Sequence, residues 1–390
     1  MKLVCSQRNL RAGLETIGKI LRTCPFNIPV LDNVKLVAGK TGLELWATDL
    51  SITIRYGLVA QVEEAGAITA PRRGLRQVAS ALLGEYVQME TGPSAILAIR
   101  CAGTRTSIIG ITAEDFPIMP EVPERSAVEL DAAEMSRLIM QTVFAASTRQ
   151  KDVILSGVLL EFSGNELKMV ASDGFRLSAS SLEFSERIQE PKSIIVPAWV
   201  LKELGRLVSK AKGRVSVFVD EKLSQVFFRF GEILFVSRLI EGTFIDYRNC
   251  IPRQEQRTVA VVSTANFLKA METIQVLARN AARYECSGVV RKQANIVHLR
   301  IAPAGEEGFG SIGVSAMTEV AGSIGARLEA RVEGEGVEIA FNGRYLSQAL
   351  SAIEAERVEF STTSPTGAVL IKPVGDKNFL HVLMPMGIPN

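Results

Sequence analysis

The side chains that most often perform catalysis are sparse in this sequence. Its two histidines, His298 and His381, each lie in an alternating apolar segment, IVHLRIA and FLHVLMP, that is typical of a β-strand. We therefore interpret both as packing or surface residues. No Cys-His pair, Ser-His-Asp triad or H-E-x-x-H motif is evident, so the sequence predicts no catalytic residue.

A glycine motif raises the question of a bound nucleotide. Residues 308–313 read GFGSIG, which matches the G-x-G-x-x-G pattern of dinucleotide sites. Such a site needs a helix that begins directly after the motif, because the helix N-terminus faces the pyrophosphate. The next residues, VSAMTEV, alternate like a strand, and no Walker lysine motif occurs. We predict a glycine-rich strand connection and no cofactor.

The cysteines form neither a metal-binding nor a disulfide pattern. They are isolated from one another, without a C-x-x-C pair: Cys5, Cys24, Cys101, Cys250 and Cys286. An odd number of isolated cysteines favours reduced thiols in a cytoplasmic protein and predicts no zinc site. No apolar run approaches the roughly 20 residues that cross a bilayer, and the N-terminus lacks a signal-like apolar region.

Two acidic dipeptides, Thr48-Asp49 and Ser172-Asp173, stand at matching places in the chain, each at the end of a predicted strand. Two carboxylates together would suggest metal binding or acid–base chemistry. These two belong to different repeats, however, and an Asp after a strand commonly accepts hydrogen bonds from backbone N–H groups. The sequence therefore predicts one structural turn that occurs twice.

Two patterns of a strand followed by an amphipathic helix each occur three times. The first begins at residues 2, 127 and 258, with KLVCSQRNLRAGLETIGKIL, AVELDAAEMSRLIMQTVFAAS and TVAVVSTANFLKAMETIQVLA. The second begins at residues 67, 193 and 337, with AITAPRRGLRQVASALL, SIIVPAWVLKELGRLV and VEIAFNGRYLSQALSAI. A repeat of roughly 130 residues predicts three copies of one architecture, each large enough to bury its own core.

The elements that must position any functional residue can be predicted from apolar spacing. The spacing indicates six helices, over 6–22, 72–83, 132–151, 198–212, 264–283 and 342–354. Segments between them, such as LELWAT and SQVFFRF, alternate with period two, as strands of antiparallel sheets do. Charged, proline-containing linkers at 120–124 and 252–257 separate the repeats. The sequence thus predicts an α+β protein with three domains, 1–122, 126–252 and 257–390, and all helices on one side of antiparallel sheets.

Charge is distributed unevenly between these helices and the rest of the chain. The predicted helices hold 18 of the 44 Lys and Arg residues but only five of the 42 Asp and Glu residues. Their net charge is 18 − 5, or +13, whereas the other residues carry 26 basic and 37 acidic groups, a net −11. Helices with a net positive charge, in a protein whose other residues are net negative, indicate an electrostatic binding face. The alternative is that these are ordinary solvated helix surfaces.

Four short motifs resemble those of one protein family. Residues 170–177, VASDGFRL, are similar to the x-D-G-x-R-L segment of bacterial sliding clamps, the β subunit of the replicative DNA polymerase III. Residues 115–117 (DFP), 246–248 (DYR) and 382–386 (VLMPM) resemble the same family, and the three repeats follow the same order. The resemblance implies a DNA-clamp fold: a ring of two subunits, with two basic inner helices per domain and antiparallel sheets outside.

The size of such a ring agrees with that expectation. A helix is about 10 Å across with its side chains, so six abutting helices would leave an opening of about 9 Å and twelve an opening of about 28 Å. One groove of duplex DNA is already about 12 Å wide. Since one chain supplies six helices, we expect a head-to-tail homodimer in which the first domain of each subunit meets the third domain of the other.

The basic residues of the predicted helices are the candidates for contact with DNA. Phosphate attraction that reads no base sequence is sensitive to salt and lets a protein slide along the duplex. The candidate DNA-binding residues are Arg8, Arg11, Arg22, Arg72, Arg73, Arg76, Arg137, Arg149, Lys151, Lys202, Arg206, Lys210, Lys269, Arg279 and Arg283.

The resemblance also implies a hydrophobic cleft, between the second and third domains, that binds short peptides of DNA polymerase and clamp-loader subunits. Matched by motif, the cleft comprises Leu155, Ser172, Gly174, Phe175, Arg176, Leu177, Ile245, Asn249, Cys250, Tyr345, Thr366, Ala368, Val382, Leu383, Met384, Pro385 and Met386. Ile245 and Asn249 stand where family members often carry Pro and Arg, and residues 387–390 extend past the usual end. Dimer contacts are expected near Ile108 and Leu277.

Two other classes of function remain open from the sequence. A non-clamp nucleic-acid-binding protein could use the same basic helices, but binding of single strands usually adds exposed aromatic residues. The helices hold only Phe144, Trp199, Phe267 and Tyr345. An enzyme would need a polar cluster that the sequence does not show. We therefore expect a cytoplasmic, non-catalytic sliding clamp that tethers the replicative polymerase to duplex DNA for processive synthesis.

Overall fold

A computed structural model describes residues 1–20, 28–122, 128–220, 222, 224–281, 295–304, 309–318 and 322–387. Two compact units are present. The first comprises Met1–Met135 with Glu203–Leu239, and the second comprises Ser136–Lys202 with Ile240–Asn390. The division into three domains stays a prediction.

The described part of the chain contains six α-helices, one for each predicted helix. They are α1 (Gln7–Ile20), α2 (Arg72–Ala81), α3 (Ala132–Thr142), α4 (Ala198–Val208), α5 (Thr264–Ala281) and α6 (Gly343–Ser351). Each buries one apolar stripe, as the spacing predicts. Helix α5, for example, buries Phe267, Met271 and Ile274 completely, and burial of one such side chain contributes about 1.5–3 kcal/mol.

The third helix ends earlier than the sequence predicts. The Thr142 hydroxyl donates to the carbonyl of Leu138 at 2.7 Å, and a 3₁₀ turn follows over Val143–Ala145. The Ser147 hydroxyl then accepts the N–H of Arg149 at 3.2 Å and donates to Asp152 at 2.9 Å. The prediction of a helix over 132–151 is therefore wrong beyond residue 142, because the Ser147 hydroxyl, held by Asp152, bonds to a backbone N–H that a continuing helix would use.

The fourth helix is also shorter than its predicted span of 198–212. After Val208 the N–H groups of Lys210 and Ala211 bond to carbonyls three residues back, which tightens the chain into a turn. Gly213 follows with φ +90°, a conformation that glycine adopts without strain. Helix α4 therefore ends at Val208, and a turn leads from it to Gly213.

Some strands, such as Ile96–Cys101, alternate between buried and less buried residues as the sequence predicts, whereas Arg214–Val219 and Ile233–Arg238 each bury four consecutive residues. In chain order, β1 to β12 are Lys2–Ser6, Asn33–Gly39, Gly42–Thr48, Ile52–Leu58, Ala60–Glu64, Gly66–Pro71, Tyr86–Thr91, Ile96–Cys101, Thr104–Ile109, Val128–Asp131, Gly157–Ser172 and Arg176–Pro197. Strands β13 to β23 are Arg214–Val219, Gln225–Phe230, Ile233–Arg238, Thr258–Ser263, Ile296–Ala302, Gly310–Thr318, Gly322–Gly334, Val337–Asn342, Arg357–Thr362, Val369–Pro373 and Phe379–Leu383. Strand β18 includes residues 310–313 of the glycine motif and continues through Thr318, so the strand prediction is confirmed over 314–318.

These strands form antiparallel sheets, which confirms the α+β class. The first unit contains a five-stranded sheet of order β5-β1-β7-β8-β9 and an eight-stranded sheet of order β10-β13-β14-β15-β4-β3-β2-β6. The second unit contains a ten-stranded sheet of order β11-β12-β23-β22-β21-β16-β19-β18-β17-β20. The middle third of the chain thus supplies strands to both large sheets.

Candidate partner cleft and basic helices

A tight turn over residues 172–176 connects β11 to β12 and carries the strongest sequence motif. Oδ1 of Asp173 accepts the N–H groups of Phe175 and Arg176 at 3.0 and 3.1 Å. The Ser172 hydroxyl donates to the carbonyl of Arg176 at 2.8 Å, and Gly174 adopts φ +86°. The prediction that this Asp is structural is confirmed, because its carboxylate is used to close the turn.

The C-terminal strand lies directly beside that turn. Strand β23 pairs with β12, with Val382 opposite Leu177, and the N–H of Met384 donates to the carbonyl of Phe175 at 2.9 Å. Residues that are about 200 positions apart in the chain therefore form adjacent walls of one surface. We call this surface, formed by residues 172–177 and 382–386, the partner cleft.

Apolar side chains fill the base of the partner cleft. Leu177 and Val382 are buried in one cluster, and Leu155 and Ala368 pack against that cluster from its edge. Tyr247 joins the same cluster, with its hydroxyl 2.6 Å from Oε2 of Glu161. Burial and the Glu161 carboxylate both raise the pKa of Tyr247. The cleft floor is therefore a packed and uncharged surface.

Other predicted cleft residues lie at the rim. Phe175 is 55% exposed, Met384 43% and Ile245 37%. Exposed apolar side chains above a buried apolar floor are suited to hydrophobic partner residues, and methionine adapts to varied shapes. Asn249 and Cys250 are exposed and bond locally, since the Asn249 amide donates to Oδ2 of Asp246 at 2.7 Å. Thr366 is exposed as well.

Arg176 joins three segments beneath the cleft. Its side chain is 6% exposed, and its Nε lies 3.0 Å from Oδ2 of Asp173. Its other nitrogens donate to Oε1 of Gln348 at 2.7 Å and to the carbonyl of Phe144 at 2.6 Å. The guanidinium also lies 4.0 Å from the centroid of the Tyr345 ring. Burial lowers the pKa of Arg176, and the Asp173 carboxylate opposes that shift.

His381 lies in the same buried layer. Its Nδ1 is 2.6 Å from the Ser178 hydroxyl, its ring stacks on Phe144 with 5.5 Å between centroids, and its Nε2 has no hydrogen-bond partner among the described residues. Burial, together with the nearby Arg176 charge, lowers the pKa of His381 to about 3. The interpretation of this histidine as a packing residue is thus confirmed. Sequence reasoning missed the roles of Phe144 and Gln348, for which no local signal exists.

Most of the predicted DNA-binding residues on helices are exposed. Seven have exposed side chains in helices α1, α2, α4 and α5 or in the turn after α4: Arg8, Arg11, Arg73, Lys202, Arg206, Lys210 and Lys269. Two of them also form ion pairs on their own helix, Arg11 with Glu15 and Arg206 with Glu203, each at 2.8 Å. Exposed pairs of this kind are weak, so they leave the cations available to phosphate.

Four other candidates have different surroundings. Arg72 is buried, with Asp32 at 3.9 Å, and burial lowers its pKa. Arg76 is half-buried, and Arg137 lies 3.5 Å from Asp376. Arg149 is exposed in the turn after α3, not on a helix. These positions are poorer candidates for phosphate contact, apart from Arg149.

The remaining predicted residues are in part beyond the described structure. Lys151 is exposed in the same turn as Arg149. Arg22 and Arg283, and the side chains of Arg279 and Leu277, lie outside the described residues. Ile108 lies half-buried in β9, the edge strand of the five-stranded sheet, next to Ile109, which is 77% exposed. An edge strand with exposed backbone groups can pair with another chain.

The chain is similar to known proteins in both sequence and structure. Three family models match it in succession: the DNA polymerase III β subunit N-terminal domain over residues 1–120, the central domain over 129–246 and the C-terminal domain over 248–387. A β sliding clamp of Synechococcus elongatus is 30% identical over 99% of both chains, and that of Bacillus subtilis is 26% identical over 92% of both. The crystal structure of a Bacillus subtilis DNA polymerase sliding clamp, 25% identical, superposes with a TM-score of 0.91 and covers both chains completely.

The turn over 172–176, the antiparallel sheets and these likenesses define a protein of the sliding-clamp class. The chain belongs to the family of bacterial DNA polymerase III β subunits, the β sliding clamps. It is thus a DNA sliding clamp of bacterial replication. Within the described residues, no helix is long and apolar enough to span a membrane.

Proposed function

We propose that two copies of this chain close head to tail into a ring around duplex DNA and tether the replicative polymerase. The proposal depends mainly on one observation: exposed Lys and Arg side chains recur on repeated helices in a chain of the sliding-clamp family. Exposed cations attract phosphates without reading sequence, so the ring can slide. No bond is made or broken, and we infer a processivity factor rather than an enzyme.

The DNA-facing surface is proposed to consist chiefly of the exposed helix residues Arg8, Arg11, Arg73, Lys202, Arg206 and Lys269. Arg72 is disfavoured because its guanidinium is buried. We further propose three domains with bounds near 1–122, 126–252 and 257–390, and dimer contacts that involve β9 around Ile108. Since its DNA substrate is the bacterial chromosome, we place the protein in the cytoplasm.

The partner cleft is proposed to bind short peptides of polymerase and clamp-loader subunits. The support is its composition, in which Leu177 and Val382 form an apolar floor while Phe175 and Met384 are exposed at the rim. A partner side chain seated on that floor would be removed from water, which supplies the binding free energy. A peptide in an extended conformation is sufficient to place two such side chains on the floor of the cleft.

Retention on DNA of different topology tests the ring. A closed ring loaded onto nicked circular DNA should be retained through gel filtration and should dissociate when the circle is cut to a linear form. Light scattering should give a mass of about 85 kDa, twice the 42.3 kDa of one chain. Equal retention on circular and linear DNA would contradict the ring.

The salt dependence of DNA association tests the basic face. The triple variant Arg73→Gln, Lys202→Gln, Lys269→Gln removes three exposed cations. Its plot of log affinity against log salt should be shallower, by about 0.9 for each phosphate that the protein no longer neutralises. Arg187→Gln changes an exposed arginine on strand β12 and is the matched control. An unchanged slope in the triple variant would place the DNA elsewhere.

A further inference from the structure

Arg149 lies in the turn that follows helix α3 and contacts the partner cleft. Its Nη2 donates to the carbonyl oxygen of Asp173 at 2.6 Å, and its Nε lies 2.8 Å from Oδ2 of Asp152. These contacts hold the guanidinium 5.5 Å from the centroid of the Phe175 ring. Because Asp173 and Phe175 belong to turn 172–176, Arg149 is attached to one wall of the cleft.

The guanidinium is fixed but still accessible. The Arg149 side chain is 54% exposed, and Phe175 beneath it is 55% exposed. An arginine that stacks on an aromatic face keeps its N–H groups at the edge of the stack, where they can bind another acceptor. The Nη1 group of Arg149 has no hydrogen-bond partner within the described part of the chain. An oriented donor pair is therefore available beside an exposed apolar ring.

The local charges favour an anion at this position. The Asp173 carboxylate is already paired with the buried guanidinium of Arg176 at 3.0 Å, so Asp152 is the carboxylate that Arg149 contacts directly. Arg344 also lies close enough to influence Arg176 electrostatically, and its own side chain is exposed. An approaching carboxylate would meet more positive than negative charge.

We propose that Arg149 is a specificity-determining residue of the partner cleft, where it selects peptides with a carboxylate next to the hydrophobic residue that rests on Phe175. Arg149 and Phe175 are in contact, so adjacent residues of an extended peptide can reach both. The inference rests on the proposed peptide-binding function and assigns Arg149 to partner recognition instead of DNA contact. A charge-assisted pair with a guanidinium is geometrically selective, which distinguishes Asp from Asn.

Calorimetry with two peptides tests the proposal on the full chain. Both peptides have eight residues with the same leucine and phenylalanine, and one residue before them is Asp in one peptide and Asn in the other. The unaltered protein should bind the Asp peptide about fivefold more tightly, the size expected of a partly exposed ion pair. In Arg149→Gln the two affinities should become equal. Arg149→Lys should retain only part of the preference, because lysine cannot stack and bind in the same geometry.

Controls separate this proposal from the function on which it rests. Arg187→Gln should keep the full preference, and thermal unfolding should show that Arg149→Gln is folded. A fivefold preference that persists in Arg149→Gln would overturn the role of Arg149, as would equal binding of both peptides by the unaltered protein. Either result would leave the proposed peptide binding at the cleft unaffected. Failure of the unaltered protein to bind either peptide would overturn the cleft. Weaker retention of Arg149→Gln on circular DNA, with peptide preference unchanged, would assign the residue to DNA.

Discussion

Two turns, residues 48–52 in the first unit and residues 172–176 in the second, have the same hydrogen bonds. The hydroxyl of Thr48 donates to the carbonyl of Ile52 at 2.7 Å, and in the second turn Ser172 bonds to Arg176 at 2.8 Å. Oδ1 of Asp49 accepts the N–H groups of the residues two and three positions ahead, at 3.0 and 2.8 Å, as Asp173 does at 3.0 and 3.1 Å. Each turn also pairs with a later strand, β15 or β23.

The side chains that do not close the turn differ between the two units. Ser51 stands where the second turn has Phe175, and Ile52 stands where it has Arg176. At the end of the paired strand, the backbone N–H of Arg238 donates to the turn in the first unit, and that of Met384 does so in the second. A groove of about 220 Å³ lies beside the first turn, with Ile118 and Arg238 among its lining residues.

The difference shows which residues make the turn and which make a binding surface. The hydroxyl and the Asp carboxylate close the turn in both units, so they determine its backbone shape, and Asp173 also pairs with the Arg176 side chain. At the exposed positions the first unit has Ser51 and Arg238, whereas the second unit has the aromatic Phe175 and the sulfur-containing Met384. The two turns thus share one backbone arrangement, and the proposed partner cleft differs from the first turn in its side chains.

Replacement of Arg176 by Met should have the largest effect on stability. The matched residue Ile52 needs no partner, but loss of Arg176 would leave the Asp173 carboxylate buried and unpaired. We expect the free energy of unfolding to fall by about 3–5 kcal/mol, measured by urea denaturation. The double variant with Asp173→Asn keeps an acceptor for the turn and should recover part of that loss. A loss below about 1 kcal/mol in the single variant would contradict a buried ion pair.

Replacement of Met384 and Met386 by Ala should remove partner binding while the fold and the dimer persist. Loss of a methionine from a buried peptide contact costs about 2–4 kcal/mol at a hot spot, enough to abolish a micromolar complex. Arg238→Ala, at the position that matches Met384, should leave binding unchanged. Calorimetry with a hydrophobic peptide and light scattering of each variant provide the measurements. Peptide binding that survives the double replacement would show that the peptide does not bind at the partner cleft.

His381 should make the stability of the second unit depend on pH in a way that the first unit does not share. The matched residue opposite β4 is Phe235, as His381 is opposite Ser178 in β12. The unfolded chain binds a proton near pH 6.5, whereas in the folded chain the pKa of His381 is about 3. Stability should therefore fall as the pH is lowered through this window, by about 1.5 kcal/mol between pH 6.5 and pH 5. His381→Phe should remove that slope in denaturant titrations at several pH values. A slope equal to that of the unaltered protein would show that other groups are responsible.

The smallest expected effects concern the left-handed residue of each turn. Gly174 has φ +86° and Leu50 has φ +72°. In Gly174→Ala the new Cβ would lie 3.9 Å from Nη2 of Arg149, an ordinary contact, so only backbone strain of about 1 kcal/mol is expected. Leu50→Gly should change stability little, because relief of strain is offset by greater flexibility of the unfolded chain. Thermal unfolding of both variants measures the difference. Equal destabilisation by the two substitutions would mean that side-chain packing decides these positions.

The local features of the fold and site could be predicted because their causes are local. The apolar period identified all six helices, and alternation identified the strands. The Thr-Asp and Ser-Asp dipeptides indicated both turns, since an Asp bonds to N–H groups only two and three residues ahead. The motifs over 170–177 and 382–386 also indicated the cleft by resemblance. Helix ends were less predictable, as at Thr142, because hydroxyl groups such as those of Thr142 and Ser147 compete for backbone hydrogen bonds.

The sequence by itself determined the repeats, the elements and the chemical types of the site residues, because each follows from neighbours along the chain. Only the tertiary structure decided how those residues are used. Arg176 bonds to Gln348, which is 172 positions away, and Ser178 to His381, which is 203 positions away. No periodicity relates such pairs. Arg176 has a structural role because it is buried, whereas the Arg149 side chain stays exposed. This difference arises only when β23 and α6 pack beside β12, since exclusion of water is a property of the assembled fold.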